Sequence, residues 1–394
     1  MFDHEKYIDY LRDTAVGDSN QMTWLSAENI IGDVKGISPA PANLYFGGLG
    51  IALYLALYEA HVGCTKARIL KEAYLRSVLA DLKNDFAEQF RSTATPGLGS
   101  GVGSLLYGVA YISRVRLSAE AEEIHRRVLA RIDDAQIEAC LHVDVIDGLS
   151  GLGLGLLRAA ETFQDKRALE LAGKCGDAIL KRTTEQKKTG FSDDARPLLT
   201  GLSHGSDGIA LFLRELSVAI NSHRYNDAIS SFETYTAQTY SSEHTNFFDL
   251  RFEPEEMQGW QQNRWCHGAT GIGIAHLRSV RSGHEETVSE PFAFAALDNI
   301  LNFGFSTVND LCCGVLGQIE YLNEVAKIEG ISRGWMKSGH DIKAHAQQEY
   351  FHRAKRVLEA PNQFSLGLFK GLSGFAYVDL RLRQSNIPSV LAFE

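Results

Sequence analysis

Three cysteines and two histidines in this 394-residue chain stand where their types could do chemistry together. Cys312 and Cys313 lie in Asp310-Leu311-Cys312-Cys313-Gly314-Val315-Leu316-Gly317, and Cys266 and His267 in Arg264-Trp265-Cys266-His267-Gly268-Ala269-Thr270-Gly271. His204 precedes Gly205 in Gly201-Leu202-Ser203-His204-Gly205. Each motif puts Cys or His directly before a Gly-x-x-Gly turn that opens an apolar run. Zinc takes four ligands, favouring thiolate and imidazole, and a catalytic zinc keeps one position open. Cys266, Cys312 and Cys313 with an open fourth position meet that description; so does a closed structural site with His267 as fourth ligand. The turns open helices, whose N-terminal amides favour anions and lower thiol pKa values.

What positions these residues is repetition. A glycine turn followed by an apolar helical run recurs seven times, with last glycines at 50, 103, 151, 208, 271, 317 and 374. Only the second turn departs from the pattern, with Ser100 where the first glycine would stand. The runs after the turns, such as Ile51-Ala52-Leu53-Tyr54-Leu55-Ala56-Leu57, are apolar all round and predict buried helices. Between them lie amphipathic stretches with three-four spacing, as in Leu75, Val78, Leu79, Leu82 and Phe86, or Ala121, Ile124, Val128 and Ile132. Seven hairpins of one inner and one outer helix predict an all-α fold, an α/α toroid closed into a ring with its glycine turns at one end. An open solenoid would instead expose a polar concave face. Residues 1–43 are expected to pack on the toroid formed by 44–394, with a possible insertion at about 220–262.

The composition agrees with a globular protein: 44% apolar, 22% charged residues and a formal net charge of −10. No basic run provides a nucleic-acid footprint, and none of the apolar runs reaches the roughly 18 residues of a membrane span. Met1 to Asp13 is charged throughout, unlike a signal peptide. Six cysteines, two of them adjacent, do not make a disulfide framework. These features point to a reducing, cytoplasmic setting.

Aligned on their first glycine, the turns place Phe46, Asp147, His204, His267, Cys313 and Lys370 at one equivalent position. Ser203, Cys266 and Cys312 fall one residue earlier in turns four to six. In a ring these positions face one axis, so the three thiols should converge with the two histidines beside them. Cys64, Cys140 and Cys175 read as buried small hydrophobes. His204 is a candidate acid/base or a hydrogen-bonded core histidine. His267 either supports a ligand cysteine or takes part directly. Asp144, four residues before Gly148, could orient a histidine or cap a helix, and Asp147 reads more simply as a cap. Lys370 reads as a solvated rim charge.

The motifs Gly-Leu-Ser-His-Gly at 201–205, Trp-Cys-His-Gly at 265–268 and Cys-Cys-Gly at 312–314, with the repeated turns, resemble the lanthionine synthetase C-like cyclases. Trp-Cys-His-Gly resembles the cyclase domain of class II lanthipeptide synthetases, and Cys-Cys-Gly the subgroup with three cysteine ligands where most relatives have Cys-His-Gly. The resemblance implies bound Zn2+ held by Cys266, Cys312 and Cys313. It implies closure of thioether rings by addition of a substrate cysteine thiolate to dehydroalanine or dehydrobutyrine in a dehydrated precursor peptide. His204 matches the histidine that protonates the resulting enolate, and Asp144 the acidic residue near it. Nothing in the chain resembles the dehydratase domain of a full synthetase, so a partner dehydratase or a larger parent protein is expected. Three thiolates donate more charge than two and an imidazole, so Cys313→His should retain zinc but slow cyclisation. A binding protein of the same fold would need no acid at His204. A carbohydrate-active barrel would want paired carboxylates across its rim, and Asp144 and Asp147 share one turn.

Overall fold

A computed structural model describes residues 2–30, 34–83, 95–189, 198–281, 290–328 and 341–394. Of the amphipathic positions named above, Phe86 lies outside them.

Seven helices follow the seven glycine turns: α2 (Gly48–Val62), α4 (Val102–Val115), α7 (Leu149–Phe163), α9 (Ser206–Ala219), α11 (Ala269–Arg281), α13 (Val315–Val325) and α15 (Leu372–Arg383). They form the inner ring, and the burial is as their composition demands. Every residue of α13 is buried, and so are the first twelve residues of α2. Each touches the next, and α15 returns to α2, so the ring is closed. Outer helices α3 (Thr65–Asp81), α5 (Ala119–Leu129), α8 (Lys166–Thr189), α10 (Asn226–Ala237), α12 (Glu290–Phe303) and α14 (Ile342–Val357) each pack on the inner helix before them in the chain. A short helix, α6 (Asp134–Ala139), joins α5 to the third turn.

Among the described residues no outer helix follows α15. That side is covered from the other end of the sequence by α1 (His4–Asp13). His4 Nε2 lies 3.0 Å from Asp379 Oδ2, its Nδ1 2.9 Å from the Tyr54 hydroxyl, and the Tyr7 hydroxyl 2.8 Å from Ser373 Oγ. These three contacts fasten α1 across the seam between α15 and α2. Between α1 and α2 run two antiparallel pairs, Val16–Gly17 with Met22–Thr23 and Leu25–Ile30 with Val34–Pro39. Of residues 220–262, positions 226–237 form α10, and a two-residue hairpin (Tyr240–Ser241 with Asn246–Phe247) and a 3-10 turn follow it at the rim.

The turns are stitched to one another by backbone hydrogen bonds. Leu98 N donates to Val145 O, Val145 N to Ser203 O, Ser203 N to Cys266 O and Cys266 N to Cys312 O. Leu311 N and Cys312 N donate to Phe369 O, and Phe369 N to Tyr45 O. This belt holds the residues just before each glycine in common register.

Candidate metal centre

Cys266 precedes Gly268, whose backbone has φ +95°, a conformation glycine tolerates and L side chains rarely adopt. The loop folds back on itself so tightly that a Cβ at Gly268 would lie 1.6 Å from Gln262 O, and one at Gly271 1.9 Å from Trp265 O. The fold-back, with the Cys266 N–H bonded to Cys312 O at 3.2 Å, brings the two cysteine turns together. Cys266 Sγ lies 3.6 Å from Cys313 Sγ, and Cys313 Sγ 3.5 Å from Cys312 Sγ. All three sulfurs are within 4.8 Å of one another. Cys64, Cys140 and Cys175 stand elsewhere as free thiols, and burial pushes Cys140 and Cys175 up.

Beside the thiols is a second group, Asp144, Asp147 and His204, with ligand-type atoms also within 4.8 Å of one another. His204 Nδ1 lies 3.4 Å from Asp144 Oδ2 and 3.9 Å from Asp147 Oδ2. Asp144 orients the histidine rather than capping the helix: its Oδ2 holds the imidazole while its Oδ1 accepts the Asp147 N–H at 2.7 Å within the turn. No side chain, of Asp144 or Asp147, caps the helix that starts after Gly148. Burial pulls the His204 pKa down, but the bond to Asp144 and the charges of Asp144 and Asp147 more than offset it, and the net shift is upward. His267 stacks on His204 with ring centroids 5.9 Å apart and planes 18° from parallel. Buried, and close to the Arg251 guanidinium, His267 is pushed down to about 4 and is neutral near pH 7. Its Nδ1 has no hydrogen-bond partner among the described residues. Its nitrogens are not grouped with the sulfurs, so a closed site with His267 as fourth ligand has no support in the geometry.

Lys370 is not the solvated charge its sequence position implied. Its Nζ donates to Cys313 Sγ at 2.9 Å and lies 3.2 Å from Asp310 Oδ2. Asp310 also accepts the Cys313 N–H at 2.6 Å. Tyr45 donates its hydroxyl to Cys312 Sγ. Hydrogen bonds from Cys266, Cys312 and Lys370 draw Cys313 far down against the effect of burial. The bond to Cys266 and then that to Cys313 push Cys312 well up. Arg251 forks onto Asp249 through Nε and Nη2, and Asp249 raises its pKa, with the thiols of Cys266 and Cys313 adding to the effect.

With this arrangement in view, the sequence matches the family described as lanthionine synthetase C-like protein over residues 38–394. The chain belongs to that family. Among solved structures it is similar to nisin cyclase, with a TM-score of 0.65 and 15% identity over 99% of this chain and 96% of that one, which establishes the shared fold. None of the curated proteins matches the sequence. The α/α toroid anticipated from the repeats is therefore both the observed architecture and that of this lanthionine synthetase C-like chain's relative.

Zinc–sulfur bonds of about 2.3 Å at tetrahedral angles put neighbouring sulfurs about 3.8 Å apart. The separations of 3.5 and 3.6 Å suit such an ion, and three soft thiolates favour zinc over hard, oxygen-seeking cations. Three residues at the site went unassigned in sequence: Tyr45, Asp310 and Arg251. The first two carried a signal. Tyr45 stands two residues before Gly47, as Cys266 stands before Gly268, and Asp310 stands four before Gly314, as Asp144 does before Gly148. Arg251 lies outside the repeat register and carried none.

Proposed function

We propose that this chain is a zinc-dependent cyclase that closes thioether rings in a dehydrated precursor peptide. The observation that carries the proposal is the meeting, at one end of the ring, of a three-thiol cluster and the His204–Asp144 pair. Family membership supports it, as does the name of the structurally similar nisin cyclase.

Held by Cys266, Cys312 and Cys313, zinc would leave a fourth position in which a substrate thiol stays deprotonated at neutral pH. The thiolate adds to the β-carbon of a dehydroalanine or dehydrobutyrine: a carbon–sulfur bond forms and the double-bond electrons pass to the α-carbon and its carbonyl. His204 then supplies the proton that restores the α-carbon. Asp144 and Asp147 orient its ring through Nδ1 and favour its charged form, which leaves Nε2 as the donor. Neutral His267 supports the His204 ring from its stacked face. Arg251 brings a cation near the place where negative charge develops. The dehydrated residues must come from a separate dehydratase activity, in a partner protein or a larger parent. Free thiolate chemistry suits the reducing cytoplasm, and no helix of the described residues is long and apolar enough to cross a membrane.

The test is incubation of zinc-loaded protein with a dehydrated, cysteine-containing cognate precursor, with and without chelator, scoring free thiols by alkylation and mass spectrometry. Thiols should disappear without change in peptide mass, and chelator should stop the loss. Thiols that persist in the zinc-loaded sample reject the proposal.

A further inference from the structure

The two carboxylates four residues before a first glycine do the same job at two places in the ring. Asp144 uses Oδ1 to accept the Asp147 N–H at 2.7 Å and Oδ2 to hold His204 of the next turn at 3.4 Å. Asp310 uses Oδ1 to accept the Cys313 N–H at 2.6 Å and Oδ2 to hold Lys370 of the next turn at 3.2 Å. His204 and Lys370 occupy the same register position, directly before the first glycine of turns four and seven. The cysteine turns, five and six, lie between them. One flank thus presents a held imidazole and the other a held ammonium.

The ammonium is aimed at one atom. Lys370 Nζ donates to Cys313 Sγ at 2.9 Å, a charge-assisted bond if the sulfur is a thiolate. Three thiolates around a divalent ion carry one negative charge in excess, and a substrate thiolate would add another. With Lys370 two-thirds buried and Cys313 also half-buried, water screens that excess poorly. Asp310 is shared between the Cys313 amide and the ammonium, so it fixes Lys370 in place against the sulfur.

We propose that Lys370, oriented by Asp310, is a positioning residue that compensates the charge of the third thiolate, Cys313, and so lets this ring hold a three-cysteine metal centre. The inference rests on the reading of Cys266, Cys312 and Cys313 as metal ligands, not on turnover. Its core is coupling: the lysine is needed because position 313 is anionic. With a neutral ligand there, the need should vanish.

The experiment is competition for zinc against a chromophoric chelator, run on the full chain with Lys370→Met, Lys370→Gln and Lys370→Arg, each alone and with Cys313→His. Groups that orient metal ligands are typically worth roughly 10- to 100-fold in affinity. Lys370→Met and Lys370→Gln should lose about that much, and Lys370→Arg should recover most of it. In the Cys313→His background the same substitutions should change affinity less than about threefold, well below that range. In the cobalt-loaded protein, Lys370→Met should shift the thiolate-to-metal charge-transfer band only when Cys313 is present. Circular dichroism identifies any variant that fails to fold; the Gln variant, polar but uncharged, and the Arg variant, which keeps the charge, then carry the comparison. Unchanged affinity in Lys370→Gln, or an equal loss in both backgrounds, overturns the proposal. Because no step needs a peptide, these results stand whether or not the chain closes rings, and ring closure without lysine-dependent zinc affinity rejects this inference alone.

Discussion

At the scale of single residues, the site separates two imidazoles by what lies against each. His204 faces Asp144 and Asp147, with His267 stacked on it and Arg251 nearby, and its pKa ends above the ordinary histidine value. His267 is buried, has Arg251 close by, and falls to about 4. Of the two imidazoles, His204 is therefore the one whose charged form the site favours, and the one suited to give a proton. Since its folded-state pKa is raised, the pairing contributes stability below the unfolded value and loses it as pH rises through the folded one. The cyclisation rate should follow the same group, falling on the alkaline side as the imidazolium is lost. Asp144→Asn removes the bond that raises His204, so the alkaline limb should move to lower pH while zinc content stays unchanged. His204→Gln should cost about 100- to 10,000-fold in rate at every pH, the range of a general acid. A pH–rate profile with metal analysis checks both, and an unmoved limb in Asp144→Asn would remove the orienting role.

At the scale of elements, the glycine turn explains how helices separated by 46–63 residues in sequence deliver thiols and imidazoles to one end of the ring. The seven turns, the buried inner helices and the convergence of three thiols were legible because glycine and apolar composition are local properties that repeat in register. Lys370 was misread because sequence shows a charge but not the carboxylate and thiol that a long stem can reach in the neighbouring turn. Residues 1–43 were expected to pack on the toroid, but the place of α1 was illegible for a related reason: it covers the seventh inner helix from the opposite end of the sequence. The turn also offers a sharp contrast between two glycines. A Cβ at Gly271 would meet Trp265 O at 1.9 Å, and the only relief is to move the carbonyl next to Cys266. Gly271→Ala should cost about 1–3 kcal/mol, as overpacking does, and speed zinc loss to a chelator. At Gly173, inside α8, nothing lies within 4 Å, so Gly173→Ala should instead stabilise by about 0.5–1 kcal/mol through helix propensity and leave zinc retention alone. Denaturation midpoints and chelator kinetics on the pair separate turn geometry from a general dislike of substitution.

At the scale of the whole molecule, the inner ring is covered at its α15–α2 seam by α1 and filled along its axis by the segment after α15. Residues 387–393 are almost entirely buried among the inner helices. Tyr111 and Tyr377 donate to Pro388 O, Arg381 Nη1 to Ile387 O, and Arg158 Nε to Phe393 O. Near this segment, where the inner helices end, a cavity of about 280 Å³ is lined by Arg114, Arg158, Arg278, Arg281 and Lys327. Ion pairs from these to Glu161, Glu215, Glu324 and Glu394 offset most of that charge. The same segment reaches the turn of the thiol cluster from beneath. Trp265, the residue before Cys266, donates its indole N–H to Leu391 O at 3.1 Å, and its ring meets that of Phe393 at 6.1 Å. Phe393 also meets Tyr107 edge-on at 6.2 Å and is 2% exposed. Phe393→Ala removes a buried ring shared by two walls of the toroid and should lower stability by about 3–5 kcal/mol. If the axial segment only fills space, zinc should leave the variant as slowly as it leaves the parent under native conditions. If it braces the Cys266 turn through Trp265, chelator should strip zinc several-fold faster well below the denaturation midpoint. The indole contact and the tight Trp265–Gly271 fold-back favour the second outcome, because a shift of Trp265 cannot be absorbed before it reaches Cys266. Urea denaturation and chelator kinetics on the same variant decide between them.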